Sequence, residues 1–460
     1  MRLPGKVAHD AKAASDSGLR WSESEHRCGQ SPKRAPSLDP QASRSYLNYM
    51  AETSNPALME ADLAVIGAGP VGTSLAVLAA KAGLRTVLVD MRPENAGPAA
   101  DTRSFAIVRG SWRLLGAAGV HSDLAGLTEP LNGLEAMDGG THWFGAPWAA
   151  FSATDLPGDD PQPLGELVPA GALQAALDRQ AGATGGLFWM RGARFSGYEA
   201  QASGALVHLE GGESFRCGLI AACDGIHSAV RQAAGIGTEG RSYGKSVFAA
   251  DVKLARPHGG IARQLFTPEG PFATLPLPDN RANLAWYMKT GAAETLAKLS
   301  KEQIEAELNA RFSEFAGPMT LDGPPLSYPL VMQIARDMTG PRVALLGDAA
   351  RRINPLAGQG LNLGFKDAGA LYDVILEARE VGLDPGSETV LARYREGRRF
   401  DSASTALFMD AVDRAFSNDN LLLKPLRSLA LTAANRIGPI RQALARQASA
   451  DQDHLPSLMR

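Results

Sequence analysis

Cysteine is scarce: Cys28, Cys217 and Cys223 are the only three in 460 residues, an odd number without metal-ligand spacing. That excludes a disulfide framework and supplies no zinc site, and it suits a reducing, cytoplasmic compartment. Charge of one sign is also lacking. With 46 basic and 49 acidic side chains the net charge is −3, so no global field gathers nucleic-acid backbones and such a partner is excluded. The polar first 58 residues contain no apolar stretch of the kind a secretory signal needs. Long hydrophobic runs are missing as well, because Gly67, Gly69, Pro70 and Gly72 interrupt the tempting stretch from Leu63 to Ala80. With no HExxH, GxSxG or metal triad, hydrolytic mechanisms have no candidate residues and no metal is expected.

What is abundant is glycine, 49 residues, which favours tight backbone turns. Residues 62–66 (DLAVI) and 86–90 (TVLVD) are β-rich runs around a helix-length segment ending at Gly83, the dimensions of a βαβ unit. Gly67, Gly69 and Gly72 stand as G-x-G-x-x-G between the first run and the helix. In that context the first glycine makes the turn, the second admits a pyrophosphate and the third lets the helix pack close to the strand. Asp90 ends the second run 23 positions after Gly67, where an acid suits the hydroxyls of an unphosphorylated ribose, as in FAD or NAD. A second literal match, Gly235, Gly237 and Gly240, follows a helical pattern and reads as a loop. One tightly held dinucleotide is therefore expected, without a separate nicotinamide domain.

Two further segments follow strands and open helices: Cys223-Asp224-Gly225 leading to Ser228 and Arg231, and Gly347-Asp348 running into Pro355, Gly358, Gly360, Leu361 and Asn362. Together with the βαβ unit these resemble the three fingerprints of the FAD-dependent aromatic monooxygenases of para-hydroxybenzoate-hydroxylase type, over residues 60 to about 445. Within that group the chain is similar to the ubiquinone-biosynthesis hydroxylase family. The likeness extends to residues 101–107 (DTRSFAI), 164–168 (LGELV), 266–277 (FTPEGPFATLPL) and 358–367 (GQGLNLGFKD).

The resemblance implies an α/β fold. Its FAD-binding Rossmann-like domain of glutathione-reductase type is interleaved with a mainly antiparallel β-sheet substrate domain and followed by a C-terminal helical segment. The matching division is 60–128, 163–236 and 328–400 for the FAD-binding domain, 129–162 and 237–327 for the substrate domain, and 401–450 for the C-terminal helices. Residues 1–58 read as a disordered extension outside the fold.

The implied activity is hydroxylation of the ring of a polyprenylated phenol or quinol intermediate by way of a flavin C4a-hydroperoxide. Dioxygen is the co-substrate, and NAD(P)H or a redox partner is the electron donor. Asp348 would meet ribitol hydroxyls, or else cap a helix. Arg103 would reach the pyrophosphate or the flavin edge, or else form a surface ion pair. Asp224 and Gly225 would mark the second fingerprint, or else make a turn. The loop from Pro355 to Asn362 would bring a helix end to the flavin. Phe266, Phe272, Leu275, Pro276 and Trp286 are the expected pocket lining, and no residue stands out as an acid–base catalyst.

Two positions depart from the family pattern: Cys223 replaces an alanine before Asp-Gly, and Arg351 replaces a histidine after Asp-Ala-Ala. They keep an inactive FAD-binding scaffold of a quinone-synthesis complex open, beside a flavin hydroxylase, epoxidase or isoprenoid reductase acting on another apolar substrate. Residues 421–450 hold five basic and no acidic side chains on an apolar period broken near Gly438 and Pro439. This reads either as a peripheral contact with the inner face of the plasma membrane or as helices packed on the body.

Overall fold

Parallel strands that read as apolar runs need cover on both faces, and crossover helices supply it. The chain folds accordingly in the computed structural model, which describes residues 58–94, 96, 103–139, 148–156, 162–353, 359–399, 432, 435–449 and 455–460. From Leu58 onward these residues belong to one unit. The extension read over 1–58, including Cys28, lies outside the described residues except for Leu58.

Strand β1 (Glu60–Ile66), helix α1 (Pro70–Lys81) and β2 (Thr86–Asp90) form the expected parallel unit. Next come β3 (Ser104–Val108), α2 (Arg109–Ala118), α3 (His121–Leu124), β4 (Glu129–Leu131), β5 (Gly133–Asp138) and β6 (Trp148–Ser152). Residues 164–180 read as one helical stretch, yet β7 (Gly165–Pro169) occupies its beginning and α4 runs only from Ala170 to Ala183. Pro169 is the reason: it disfavours helix in the residue before it, and it stands here as an extended N-cap. Strands β8 (Leu187–Arg191), β9 (Phe195–Gln201), β10 (Gly204–Leu209) and β11 (Ser214–Ala222) lead to α5 (Ala229–Ala233).

The second half opens with β12 (Thr238–Leu254), β13 (Ile261–Thr267), β14 (Gly270–Leu277) and β15 (Arg281–Lys289). Helices α6 (Thr290–Leu296) and α7 (Lys301–Ala316) precede β16 (Met319–Leu321), β17 (Leu326–Ala335), β18 (Thr339–Gly340), β19 (Val343–Leu345) and β20 (Arg351–Arg352). Helix α8 (Gln359–Glu380) follows, then a helical stretch over 388–399 and, farther on, α9 (Gly438–Ser449). Ser300 starts α7 with a capping box, its hydroxyl accepting from Gln303 N–H while the Gln303 side chain accepts from Ser300 N–H.

An eight-stranded sheet runs β18-β19-β11-β1-β2-β8, with β10 on β11 and β9 on β10. A nine-stranded sheet runs β20-β17-β12-β15-β14-β13-β5-β6, with β16 on β12, and is antiparallel except where β13 meets β5. Strands β3, β7 and β4 make a third, small sheet. The fold class expected from sequence is thus the one observed. The division at residue 328 is displaced, because β17 and β20, inside the span read as FAD-binding, pair into the nine-stranded sheet. The second glycine match also differs in part from a loop: Gly240 lies in β12, where a Cβ would come within 2.5 Å of the Met332 carbonyl oxygen on β17.

Candidate active site

In sheets of this kind ligands bind outside the carboxyl ends of the parallel strands. A cavity of about 470 Å³ lies there, bounded on the other side by the inner face of the nine-stranded sheet. The first turn of α1 opens onto it through Gly69, Pro70, Val71 and Gly72. Gly67 itself does not line the cavity; with φ +104° it makes the turn, and a Cβ there would sit 2.4 Å from the Cys223 carbonyl oxygen. A Cβ at Gly72 would lie 2.0 Å from the Gly67 oxygen, so the first and third glycines serve close packing. A Cβ at Gly69 meets nothing within 4 Å, leaving space over a helix N-terminus for an anionic group.

Asp90 stands beside this turn rather than in the cavity wall. Its Oδ2 accepts from Ala68 N–H at 2.7 Å, and its Oδ1 accepts from Arg92 N–H and Nε at 2.7 and 3.0 Å. Arg92 and Gln174 both donate to the Ala68 carbonyl, at 2.7 and 3.0 Å. The turn is therefore braced on both sides by side chains the sequence reading had not singled out.

In the second fingerprint Gly225 and Cys223 line the cavity, whereas Asp224 turns toward α5 and accepts from Val230 N–H at 3.1 Å. Burial pushes the Asp224 carboxyl above its ordinary value. The Cys223 thiol is pushed well up by burial, and its side chain packs against the core of the parallel sheet. Buried Arg231 donates to the Ile226 and Ala349 carbonyls at 2.9 and 2.8 Å, tying the second fingerprint to the third.

The third fingerprint does not open a helix directly. Gly347–Ala349 is a single 3-10 turn capped by Leu346, which places Asp348 within the turn and not at a helix N-cap. Gly347, Asp348 and Arg352 line the cavity, together with Arg103 from the start of β3. Asp348 is open to solvent through the cavity but hemmed in by protein along its wall. Burial raises its carboxyl above the ordinary value, opposed by Arg352, Arg103 and Arg351.

Behind this turn Asp367 is fully buried. Its Oδ2 accepts from Gly347 N–H at 3.0 Å, and its Oδ1 accepts from Arg351 Nη2 at 2.8 Å and Arg398 Nε at 2.7 Å. Arg351, the departure from the family pattern, thus faces inward to a carboxylate, whereas Arg352 lines the cavity with Arg103. A buried carboxylate within reach of two arginines sixteen residues before it and thirty-one after it has no local sequence signature.

Gly360 and Leu361 bring the first turn of α8 to the cavity, while Pro355 and Gly358 lie outside the described residues. Asn362 is not in the cavity wall. Its Oδ1 accepts from Val108 N–H at 3.1 Å and its Nδ2 donates to the Ala106 carbonyl at 2.7 Å, fastening α8 to β3.

On the sheet side, strand parity corrects the expected lining. Leu275 faces the cavity with Ala273, Asn283 and Ala285. Phe272 and Trp286, paired in register, belong to the opposite face and pack on α7, where Phe312 stacks on Phe272 at 3.7 Å between ring centroids. Pro276 shares that parity and is buried, and Phe266, also buried, is not among the cavity's lining residues. Sequence alternation separates the two faces of a strand, but both faces here are covered, so hydrophobicity alone cannot say which one meets the cavity. Asp251, directly after the apolar run 247–250, and Asn283, between Ala282 and Leu284, were the available signal.

The residues present fit FAD. The empty side of Gly69 accommodates a pyrophosphate at a helix N-terminus, Asp90 stands beside it, and Asp348, Arg103 and the first turn of α8 surround the remaining wall. No group of three His, Cys, Asp or Glu side chains suited to a metal ion occurs among the described residues.

Comparison with known proteins agrees with this geometry. The FAD binding domain family model matches residues 60–405. Ubiquinone hydroxylase UbiL of Rhodospirillum rubrum is 34% identical over 390 residues, covering 84% of this chain and 89% of that protein. The 3-demethoxyubiquinol 3-hydroxylase of Escherichia coli is 34% identical over 402 residues, covering 83% and 97% respectively. Among solved structures, p-nitrophenol 4-monooxygenase PnpA of Pseudomonas putida has a TM-score of 0.70 at 18% identity, covering 85% of this chain and 98% of that one, which speaks for the fold. The chain therefore belongs to the FAD binding domain family and, within it, to the ubiquinone-biosynthesis hydroxylases.

Proposed function

We propose that the protein is an FAD-dependent monooxygenase that hydroxylates the aromatic ring of a polyprenylated phenol or quinol intermediate in ubiquinone biosynthesis. The observation that carries this reading is the single cavity shared by the dinucleotide-binding turns and an apolar sheet face. When bound, FAD supplies the reaction of reducing equivalents with dioxygen. The chain's own residues do the rest: the α1 turn and Asp348 hold the cofactor, and Leu275, Ala273 and Ala285 present an apolar wall that keeps water from the reacting ring.

Deleting the gene from its native host and identifying accumulated quinone precursors by mass spectrometry tests the reading. An under-hydroxylated prenylphenol is expected to build up and to disappear when the gene is restored. If none accumulates, the substrate assignment is wrong.

A peripheral membrane contact extends the proposal, since a prenylated substrate resides in lipid. No helix among the described residues is long and apolar enough to span a bilayer. Helix α9 buries Ala445 and ties Arg441 to Asp155 at 3.0 Å, so part of it packs on the body. Its other side exposes Ile440 by 37%, beside Ile437 at 45% and the exposed Arg436 and Arg446. The protein is expected to float with phosphatidylglycerol-containing vesicles and to lose most of that binding on combined Ile437→Glu and Ile440→Glu substitution. Flotation unaffected by the double substitution would assign the contact elsewhere.

A further inference from the structure

Two rows of residues cross the inner face of the nine-stranded sheet where it meets the cavity. In one, Asp251 of β12 pairs in register with Asn283 of β15, which pairs with Leu275 of β14. In the next row, two residues along, Ala249 pairs with Ala285, and Ala285 with Ala273. All six line the cavity. Adjacent strands lie about 4.8 Å apart, so three alanines in a row make a flat floor spanning about 9.6 Å, wide enough for one six-membered ring. The polar row runs roughly 6.8 Å farther along the strands, beside the edge of a ring lying on that floor.

Asn283, only 9% exposed, donates from Nδ2 to Asp251 Oδ1 at 2.7 Å. Among the described residues this is the only side-chain hydrogen bond of either group. A second carboxyl oxygen, the amide oxygen and one amide hydrogen remain available. The neighbouring charges are engaged elsewhere: Arg281 and Lys253 with Asp322 at 3.4 and 3.2 Å, and Arg263 with Glu135 at 2.9 Å. Burial raises the Asp251 carboxyl, against smaller lowering contributions from Asn283 and Arg281. The pair is thus a hydrogen-bonding group that supplies both a donor and an acceptor in a floor otherwise made of alanine and leucine. A hydroxyl on an aromatic ring, itself donor and acceptor, is its chemical complement.

We propose that Asp251 and Asn283 form the specificity element of this site, holding a hydroxyl of the substrate ring while the ring lies across Ala249, Ala285 and Ala273. This rests on the reading of the substrate as a phenol or quinol and adds which side chains recognise it.

The test is binding to the FAD-loaded protein, followed by titration calorimetry, of a short-chain prenylphenol and its methyl ether, which keeps the ring but lacks the hydroxyl hydrogen. The parent protein is expected to bind the phenol at least about ten-fold more tightly than the ether. Asp251→Ala and Asn283→Ala should bring that ratio close to one, whereas the isosteric Asp251→Asn, which preserves the packing, should retain part of it. Equal binding of the two ligands by the parent protein, or a ten-fold preference surviving in either alanine variant, overturns the proposal while leaving the phenol reading in place. Failure of the parent to bind either ligand overturns the phenol reading and the proposal with it.

Discussion

Asp367→Ala is expected to cost about 3–5 kcal/mol of stability, the range measured when one partner of a buried ion pair is removed. The carboxylate is fully buried, and the Arg351 and Arg398 side chains that share it are each 2% exposed. Bringing a guanidinium out of water costs several kcal/mol, and here the return comes from one carboxylate with short bonds to both cations. Removing it also deprives Gly347 N–H of its acceptor at 3.0 Å. Against a typical total of about 5–15 kcal/mol, the loss brings the protein close to unfolding at growth temperature. Urea titration followed by circular dichroism measures it. Asp367→Asn separates the two contributions, because an amide oxygen still accepts from Gly347 while the charge is gone, and it should fall between Ala and the parent. A midpoint for Asp367→Ala within experimental error of the parent would show that the cluster contributes nothing to stability.

Asp348→Ala is expected to leave a folded protein that purifies without its yellow flavin absorbance. A charge-assisted hydrogen bond contributes about 1.5–3 kcal/mol, and a carboxylate accepting from ribitol hydroxyls stands to lose one or two of them. That corresponds to a fall in FAD affinity of roughly ten-fold to more than a hundred-fold for each bond lost. Because Asp348 opens onto the cavity and its carboxyl makes no hydrogen bond among the described residues, its removal should leave the urea midpoint of the apoprotein unchanged, which distinguishes it from Asp367.

The pH dependence carries the same signature. Burial raises the Asp348 carboxyl, so acid protonates it sooner than an ordinary aspartate, and hydroxyl donors bind its ionised form. FAD affinity is therefore highest above that raised value and is lost as pH falls through it, at a higher pH than for an ordinary aspartate. Equilibrium dialysis of FAD across acidic pH checks the sign. Stoichiometric flavin retained by Asp348→Ala would remove this residue from the cofactor site.

Much of the cofactor side was legible in the sequence because its chemistry is local. A turn, a helix N-terminus and an acid at the end of the next strand lie within about thirty residues, and the glycine spacing reflects steric contacts among neighbours, such as Gly72 against the Gly67 oxygen. The same holds for the fold class, since alternating strand and helix patterns leave few topologies. Asn362 shows where this legibility stops: its place in a motif pointed to the cofactor, yet its amide is occupied by β3, more than 250 residues earlier in the chain.

Composition, the interrupted apolar run and the glycine turn pointed to an α/β dinucleotide-binding protein, and the resemblance carried by three ordered fingerprints implied a flavoprotein of the hydroxylase family. Only the tertiary structure decided which face of β14 and β15 meets the cavity, because α7 covers the other face and both faces carry apolar side chains. It alone showed that Arg351 is internal charge compensation while Arg352, beside Arg103, reaches the cavity. The physical reason is the same in each case. Local propensity and steric fit act within a few residues, whereas burying a charge or choosing a sheet face depends on elements that come together only when the whole chain has folded.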